Sequence, residues 1–438
     1  MLSRPCKTLA QHDLRGGPRK HATPCWVLIT GEYPPAPGGV SDYSRQIAQS
    51  LAEAGDEVHV WAPAQPPKIE DQRSKIEGPK TVSASILDSR ISMHAFSSRS
   101  TAEDRDVAVH RLPGRFGPRD LEILDIFLRR LPKPCRLLVQ YVPHAFGCKG
   151  MNVPFCWWLS RRPEPVWIMF HEVTFPIARH QPLSHNFLGL VTRLMVKLVA
   201  RKAERIFVTI PAWEELLPTD PTLRRRVTCL AVPSNIPNAA SPQAVKTVRR
   251  HFGANDILIG HFGTYGPHMT DLLKKILPPL LQKDSERRIL LVGKDSDRFA
   301  VVLRQENPAL QRRIEATGCL GPEQVAVHLA ACDCLVQPFI DGVSSRRTSL
   351  MAGLALGLPI VTNTGPLTDS IWKGTEALVL APSPSPSDLT EAVENLLAQP
   401  NRLRELRGHA AGFYQSNFAL SRTIEVLRGG IPSPKLAS

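Results

Sequence analysis

Acidic residues are the minority among the charges of this 438-residue chain: 40 Asp and Glu stand against 54 Lys and Arg, leaving a formal charge of +14. That excess draws anions such as nucleotides, nucleic acid or acidic lipid headgroups without choosing among them, and it says nothing about fold. Cysteine is sparse in pattern as well as number. Nine cysteines from Cys6 to Cys334 include no Cys-x2-Cys pair, so neither a zinc site nor a secreted disulfide framework is expected, and a reducing cytosol fits best. Long apolar runs are missing too. The best stretch, residues 186–200, is interrupted by Arg193 and Lys197, so no spanning helix is expected. Residues 1–24 carry Arg4, Lys7, Arg15, Arg19 and Lys20 against Asp13 without a continuous apolar segment, which reads as a basic tail and not as a secretory signal. No fixed-period repeat is visible, which excludes a solenoid. No recognition motif or aromatic-basic interleaving is present, so nucleic acid is not an expected partner.

What is there is alternation. The length corresponds to two or three domains of ~150 residues. CWVLITG (residues 25–31) is an apolar strand run, EYPPAPGGV follows as a glycine loop, and SDYSRQIAQSLAEAG has helical spacing. EVHVWAP, RLLVQYV, VWIMF and RIFVTI supply further strands, with helical patterns at 120–131 and 187–202; residues 64–106 are polar and weakly periodic and read as an insertion. VPSNIPNAASPQ (232–243) has the composition of a linker. A second series then begins: ILIGHFG, RILLVG, RIEATG, CDCLVQPF and LPIVTN, with helices between them. Two such arrays predict an α/β protein of two Rossmann-like domains with parallel sheets. The expected boundaries are a tail at 1–24, a first domain at 25–235, a second at 240–410, a helix at 411–427 crossing back to the first, and a tail at 428–438.

Ligands of open α/β sheets sit at the carboxyl ends of strands, so glycine-bearing strand ends are the first candidates. Gly38 and Gly39 could admit a phosphate or sugar to the backbone, or form a tight turn only. HFGTYG offers Gly263 and Thr264, and LVGKDS offers Lys294, to a diphosphate; both are equally readable as plain β-to-α turns. The richest segment is PFIDGVSSRRTSLMAGLALGLPIVTNTG. Here Asp341 and Gly342 turn the chain, Ser344 or Ser345 is placed to cap a helix, and Arg346 and Arg347 fall in its first turn, where cations are unfavourable unless an anion pairs with them. His171 and Glu172 follow a strand directly, a placement suited to binding phosphate, orienting an acceptor or exchanging a proton, with Tyr141 and His144 at the preceding strand end. Arg193, Lys197 and Arg201 recur every fourth position over an apolar remainder, and residues 161–205 hold eight basic against three acidic side chains. That stripe is either an ordinary solvated face or a contact for an anionic membrane.

ITGEYPPAPGGVSDYSRQIAQSLAEAGDEVHVWAP resembles the opening of the GT-B glycosyltransferases of family 4. FHEV, RKAERIFVTIPAWEELL, VPSNIPN, IGHFGTYG, LLVGKDS, IEATGCLGPEQVAVHLAACDCLVQPF and ALGLPIVTNTG follow in that family's order, across residues 26–427. The resemblance implies two Rossmann-like domains facing across a cleft, a nucleotide-sugar donor held mainly by the second and a glycan or lipid-linked acceptor by the first. It implies retention of configuration, no metal and no other cofactor, and a cytoplasmic protein that can lie on the inner face of the membrane. Gly39 would border the donor phosphates, His171 would sit near the transferred sugar, and Arg346, Lys294 and the helix beginning near Ser344 would stabilise the leaving diphosphate. The sequence departs from the pattern at one motif: where the family carries two glutamates eight apart, Ser344 and Ala352 stand. That departure opens the alternative of a degenerate GT-B protein that binds a nucleotide sugar or a partner without catalysis.

Overall fold

A computed structural model describes residues 24–36, 38–64, 104, 106–131, 133–253 and 255–429. Nearly all of the two terminal tails and of the proposed insertion at 64–106 lies outside the described residues. Seven parallel strands form the first sheet: β1 (Cys25–Thr30), β2 (Glu57–Pro63), β3 (Val107–Leu112), β4 (Cys135–Tyr141), β5 (Val166–Phe170), β6 (Arg205–Val208) and β7 (Val227–Cys229), in the spatial order 3-2-1-4-5-6-7. Six parallel strands form the second: β8 (Ile257–Phe262), β9 (Arg287–Val292), β10 (Ile314–Ala316), β11 (Cys334–Val336), β12 (Ile360–Asn363) and β13 (Val379–Ala381), in the order 10-9-8-11-12-13. The strand order reverses direction between β1 and β4 and again between β8 and β11. Those two switch points open the crevices where ligands of such sheets bind.

The period of two is visible in the packing. Cys25, Val27 and Ile29 enter one core cluster while Trp26 and Leu28 enter another on the opposite face of the sheet. In the second sheet Leu290 and Val292 face one cluster, and Ile289 and Leu291 the other. Burial on both faces is why these strands read as continuous apolar runs. Three strands were not legible that way. β3, β7 and β13 are edge strands, and β7 is half-buried throughout. β3 carries His110 and Arg111 among its apolar residues, and β7 and β13 are three residues long, so none of them forms an apolar run long enough to stand out.

The segment between the sheets is anchored at both ends. Leu230 and Val232 belong to a core cluster of the first sheet, Ala231 and Ile236 to one of the second. From the helix Gly39–Glu53, Gln46 Nε2 donates to the Ser234 carbonyl at 3.1 Å and Asp42 accepts from Asn235 Nδ2 at 2.9 Å. From the other side, the Tyr414 hydroxyl accepts from Ser234 N at 3.0 Å, and the Val232 amide donates to the Ser345 carbonyl at 3.2 Å.

The chain's last helical stretch is divided. Pro400–Asn417 ends where Phe418 stacks on Trp372 with ring centroids 5.2 Å apart, and Leu420–Leu427 follows. The second piece returns to the first sheet. Val426 and Leu427 join its core, and Arg428 pairs with Asp56 at 3.2 Å, the carboxylate that also accepts from Trp26 Nε1.

Candidate functional site

At the first switch point the loop after β1 is held by its neighbours. Tyr33 donates its hydroxyl to Asp104 at 3.0 Å, the Arg111 guanidinium donates to the Pro34 carbonyl, and Ser41 Oγ reaches the Ala36 carbonyl at 2.6 Å. Gly38 precedes the helix Gly39–Glu53, whose first turn has no side-chain cap. A Cβ at Gly39 would meet nothing within 4 Å, whereas one at Gly38 would lie 3.0 Å from a Glu32 carboxylate oxygen, so the room at this helix start is on the Gly39 side, where the dipole favours an anion.

His171 lies at the end of β5. Its Nε2 is 2.7 Å from Gln140 Oε1, its ring stands edge-on to Tyr43 at 5.5 Å, and its carbonyl accepts from Trp213 Nε1 at 3.1 Å. Enclosure by protein lowers its pKa to about 4, because the charged imidazolium loses its hydration. The ring is therefore neutral near pH 7 and offers hydrogen bonds in place of charge. Gln140 and Trp213 are partners the sequence reading passed over. The signal for Gln140 was a lone amide near the end of an otherwise apolar strand; nothing local marked Trp213.

The other first-domain candidates separate. His144 and Glu172 are exposed and pair at 3.3 Å on the rim. Tyr141 is fully buried in the core against Phe146 and Phe170, so it cannot meet an acceptor as the sequence reading expected. Its place in a parallel strand covered on both faces is the reason.

At the second switch point two pairs of loops are locked together by glycine. A Cβ on Gly293, whose φ is +118°, would lie 2.3 Å from the Gly263 carbonyl oxygen; one on Gly342, φ +86°, would lie 2.3 Å from Gly365 N and from Thr368 Oγ1. Only glycine allows that approach. Thr264 and Lys294 extend from the first pair of loops and are exposed.

The segment after β11 differs from its reading. Neither Ser344 nor Ser345 caps a helix. The helix spans Thr348–Ala355, with Arg347 at its N-cap and no side-chain cap bond. The cause is Asp369, a buried carboxylate that accepts from Ser345 N at 2.6 Å and from Ser345 Oγ at 2.5 Å and holds the chain out of the helix. Burial raises the Asp369 pKa even so. Arg346 and Arg347 therefore precede the helix and converge on one carboxylate, Asp341, each on its own oxygen, Arg346 at 3.0 Å. Both oxygens of Asp341 are thus engaged by arginine. Arg347 also lies over Phe339 at 4.7 Å, and Arg346 over the indole of Trp213 at 5.2 Å. Through Trp213 the arginines of the second sheet and His171 of the first share one neighbourhood. The trio carries one net positive charge, at a strand end, between the sheets.

Ser344 and Ala352 are both fully buried, and Ser344 Oγ has no hydrogen-bond partner. Ala352 packs in the core below the arginines.

Residues 38–233 match the family described as the glycosyl transferase 4-like domain, and residues 257–399 match glycosyl transferases group 1. The chain belongs to the GT-B glycosyltransferases of the family-4 type. No curated protein sequence is significantly similar to it. Solved structures agree in fold. HepE of Anabaena, in complex with UDP and glucose, is 14% identical with a TM-score of 0.59, covering 92% of this chain and 98% of that one. A glycosyltransferase from Rickettsia africae is 11% identical with a TM-score of 0.64, over 92% and 97%. WaaG, a glycosyltransferase involved in lipopolysaccharide biosynthesis, is 13% identical with a TM-score of 0.59, over 92% and 100%.

Proposed function

We propose that this glycosyltransferase moves a hexose or related sugar, with retention of configuration and without a metal, from a nucleotide-sugar donor to a glycan or lipid-linked acceptor in surface polysaccharide or glycolipid assembly. The donor lies along the ends of β8, β9 and β11, and the acceptor along the ends of β4 and β5. The observation that carries this reading is the pair Arg346 and Arg347 gathered on Asp341 and facing Trp213 and His171. When the bond from the sugar to the diphosphate breaks, negative charge collects on the departing phosphate, and guanidinium groups already in place lower the barrier to that step. Lys294 and the open helix start at Gly39 add positive potential from either side. His171, neutral, hydrogen-bonds the transferred sugar. A nucleoside diphosphate should raise the melting temperature of the protein in metal-free buffer by several degrees at 100 Kd, equivalent to about 2.7 kcal/mol. No shift with UDP, GDP, ADP or TDP would remove the donor site.

One observation favours the second reading, a binding protein without catalysis. Ala352 is sealed in the core, so no carboxylate is offered from that helix position. Slow hydrolysis of the donor separates the two, since a binding module leaves the nucleotide sugar intact. A cytoplasmic location at the membrane's inner face belongs to the same proposal as the lipid-linked acceptor.

A further inference from the structure

The amino ends of the first sheet, opposite the cleft, carry a second group of polar side chains. Cys25 opens β1 and Glu57 opens β2, and the two are register partners. His59 follows Glu57 by two residues, so all three side chains stand on one face of the sheet. The Cys25 thiol, a Glu57 carboxylate oxygen and a ring nitrogen of His59 all lie within 4.8 Å of one another. No local motif announces this group, because its members come from two strands and meet only when those strands pair.

The imidazole of this group is held in one orientation. His59 Nδ1 lies 3.2 Å from His110 Nε2, and His59 Nε2 lies 3.0 Å from Glu57 Oε1. His110 is buried and stacks on Trp61 at 4.6 Å, and Phe127 stands edge-on to His59 at 5.1 Å. A cation bound at Nε2 leaves the ring proton of neutral His59 on Nδ1, from which it is donated to His110 Nε2. A histidine oriented through its other nitrogen is the usual arrangement at a metal. Cys135, the register partner of Cys25 on β4, stands outside the set. Lys133 Nζ lies 3.8 Å from its sulfur and 2.7 Å from Glu164, so an ammonium group already occupies that side.

Sulfur and imidazole nitrogen disfavour calcium and magnesium, which take oxygen ligands, and suit zinc. We propose that Cys25, Glu57 and His59, with His110 orienting His59, bind one divalent cation of the zinc class that ties the start of β1 to β2, with water in the fourth position. On binding, the Cys25 thiol releases its proton to solvent, and the thiolate and carboxylate together balance the charge of the cation. β1 has six residues, roughly 20 Å of extended chain, so the cation lies away from the carboxyl ends of the strands. Its role is to stabilise the first sheet, since a ligand held by the folded chain alone favours that state, and it takes no part in sugar transfer.

The test is titration of the full chain, reduced and freed of metal, with cobalt(II) as a spectroscopic substitute for zinc, followed by melting with zinc itself. The wild type should bind cobalt with a near-ultraviolet thiolate charge-transfer band, and zinc should displace the cobalt and raise the melting temperature. Cys25→Ser should lose the band, whereas Cys148→Ser/Cys319→Ser, which removes two exposed thiols, should keep it. His110→Phe retains a ring against Trp61 and should weaken zinc binding roughly 10- to 100-fold without touching the cation. Glu57→Gln, at an exposed position, should weaken it at least as much. If Cys25→Ser fails to fold, the losses in Glu57→Gln and His110→Phe, at unchanged melting temperature without metal, decide. A wild type without the band overturns the proposal, as does a band that survives Cys25→Ser or zinc affinity that survives both Glu57→Gln and His110→Phe. The nucleoside diphosphate melting test, made in metal-free buffer, fails or succeeds independently of all these outcomes.

Discussion

The guanidinium of Arg346 lies 5.2 Å above the ring centroid of Trp213, whose indole N–H in turn holds the carbonyl of His171 at 3.1 Å. One indole thus couples the cationic end of the second sheet to the histidine of the first. Its position makes the two halves of the site depend on each other.

Arg346→Ala removes one of the two cations and leaves Asp341 with Arg347 alone. Donor turnover should fall about 100-fold or more, the usual effect of deleting a charge-stabilising donor, with a smaller change in melting temperature. Arg346→Lys should recover part of the loss. A steady-state measurement of nucleotide release checks both, and a wild-type rate in the alanine variant would exclude Arg346 from leaving-group stabilisation.

Gly39→Ala and Gly342→Ala should separate binding from folding. At Gly39 a methyl meets nothing within 4 Å and sits on a helix, so stability should stay level or rise by up to about 1 kcal/mol. Donor KM should nevertheless rise at least tenfold if phosphates approach that backbone. At Gly342 the backbone is left-handed and a Cβ would strike Gly365, so the variant should lose about 2 kcal/mol or more in urea unfolding.

Acid should unfold the protein through its enclosed histidines, His110 and His261, which are buried, and His171, which is half-buried. Burial lowers the pKa of His171 and of His110 to about 4 and that of His261 to about 3, against an ordinary 6.5. The unfolded chain therefore takes up more protons than the native one as pH drops below 6.5, and stability, fully present above that value, declines toward pH 4. Urea midpoints at pH 7 and pH 5 should differ accordingly. His261→Gln, which keeps a polar group facing Tyr265 Oη, 3.0 Å from His261 Nδ1 in the wild type, should reduce the difference. Turnover should show no acid limb near pH 6.5, since His171 remains neutral there.

Asp56 holds Trp26 and Arg428, two residues 402 positions apart in the chain. Asp56→Ala strands the indole N–H in the core and should cost about 1–3 kcal/mol. A double-mutant cycle with Arg428→Ala in urea should give a coupling of at least about 0.5 kcal/mol. Zero coupling would mean that the returning helix is held by Val426 and Leu427 alone.

The strand-glycine-helix alternation, the two sheets and the candidate strand ends followed from residues 25–31, 136–142, 257–263 and 288–293, because a strand covered on both faces is apolar at most positions. Neighbouring residues sufficed to locate Gly39, His171 and Arg346 at such ends. How they are held there depends on partners far away in sequence. Asp369 keeps Ser344 and Ser345 from starting a helix; Asp341 takes both arginines; Trp213 reaches His171 and Arg346; Gln140 fixes the imidazole. The same holds for the helix Leu183–Lys202, whose basic residues the sequence showed at a spacing of four. Only packing of the helix against its sheet decided which of its apolar residues face water, since burial is a property of the assembled layers and not of the local pattern.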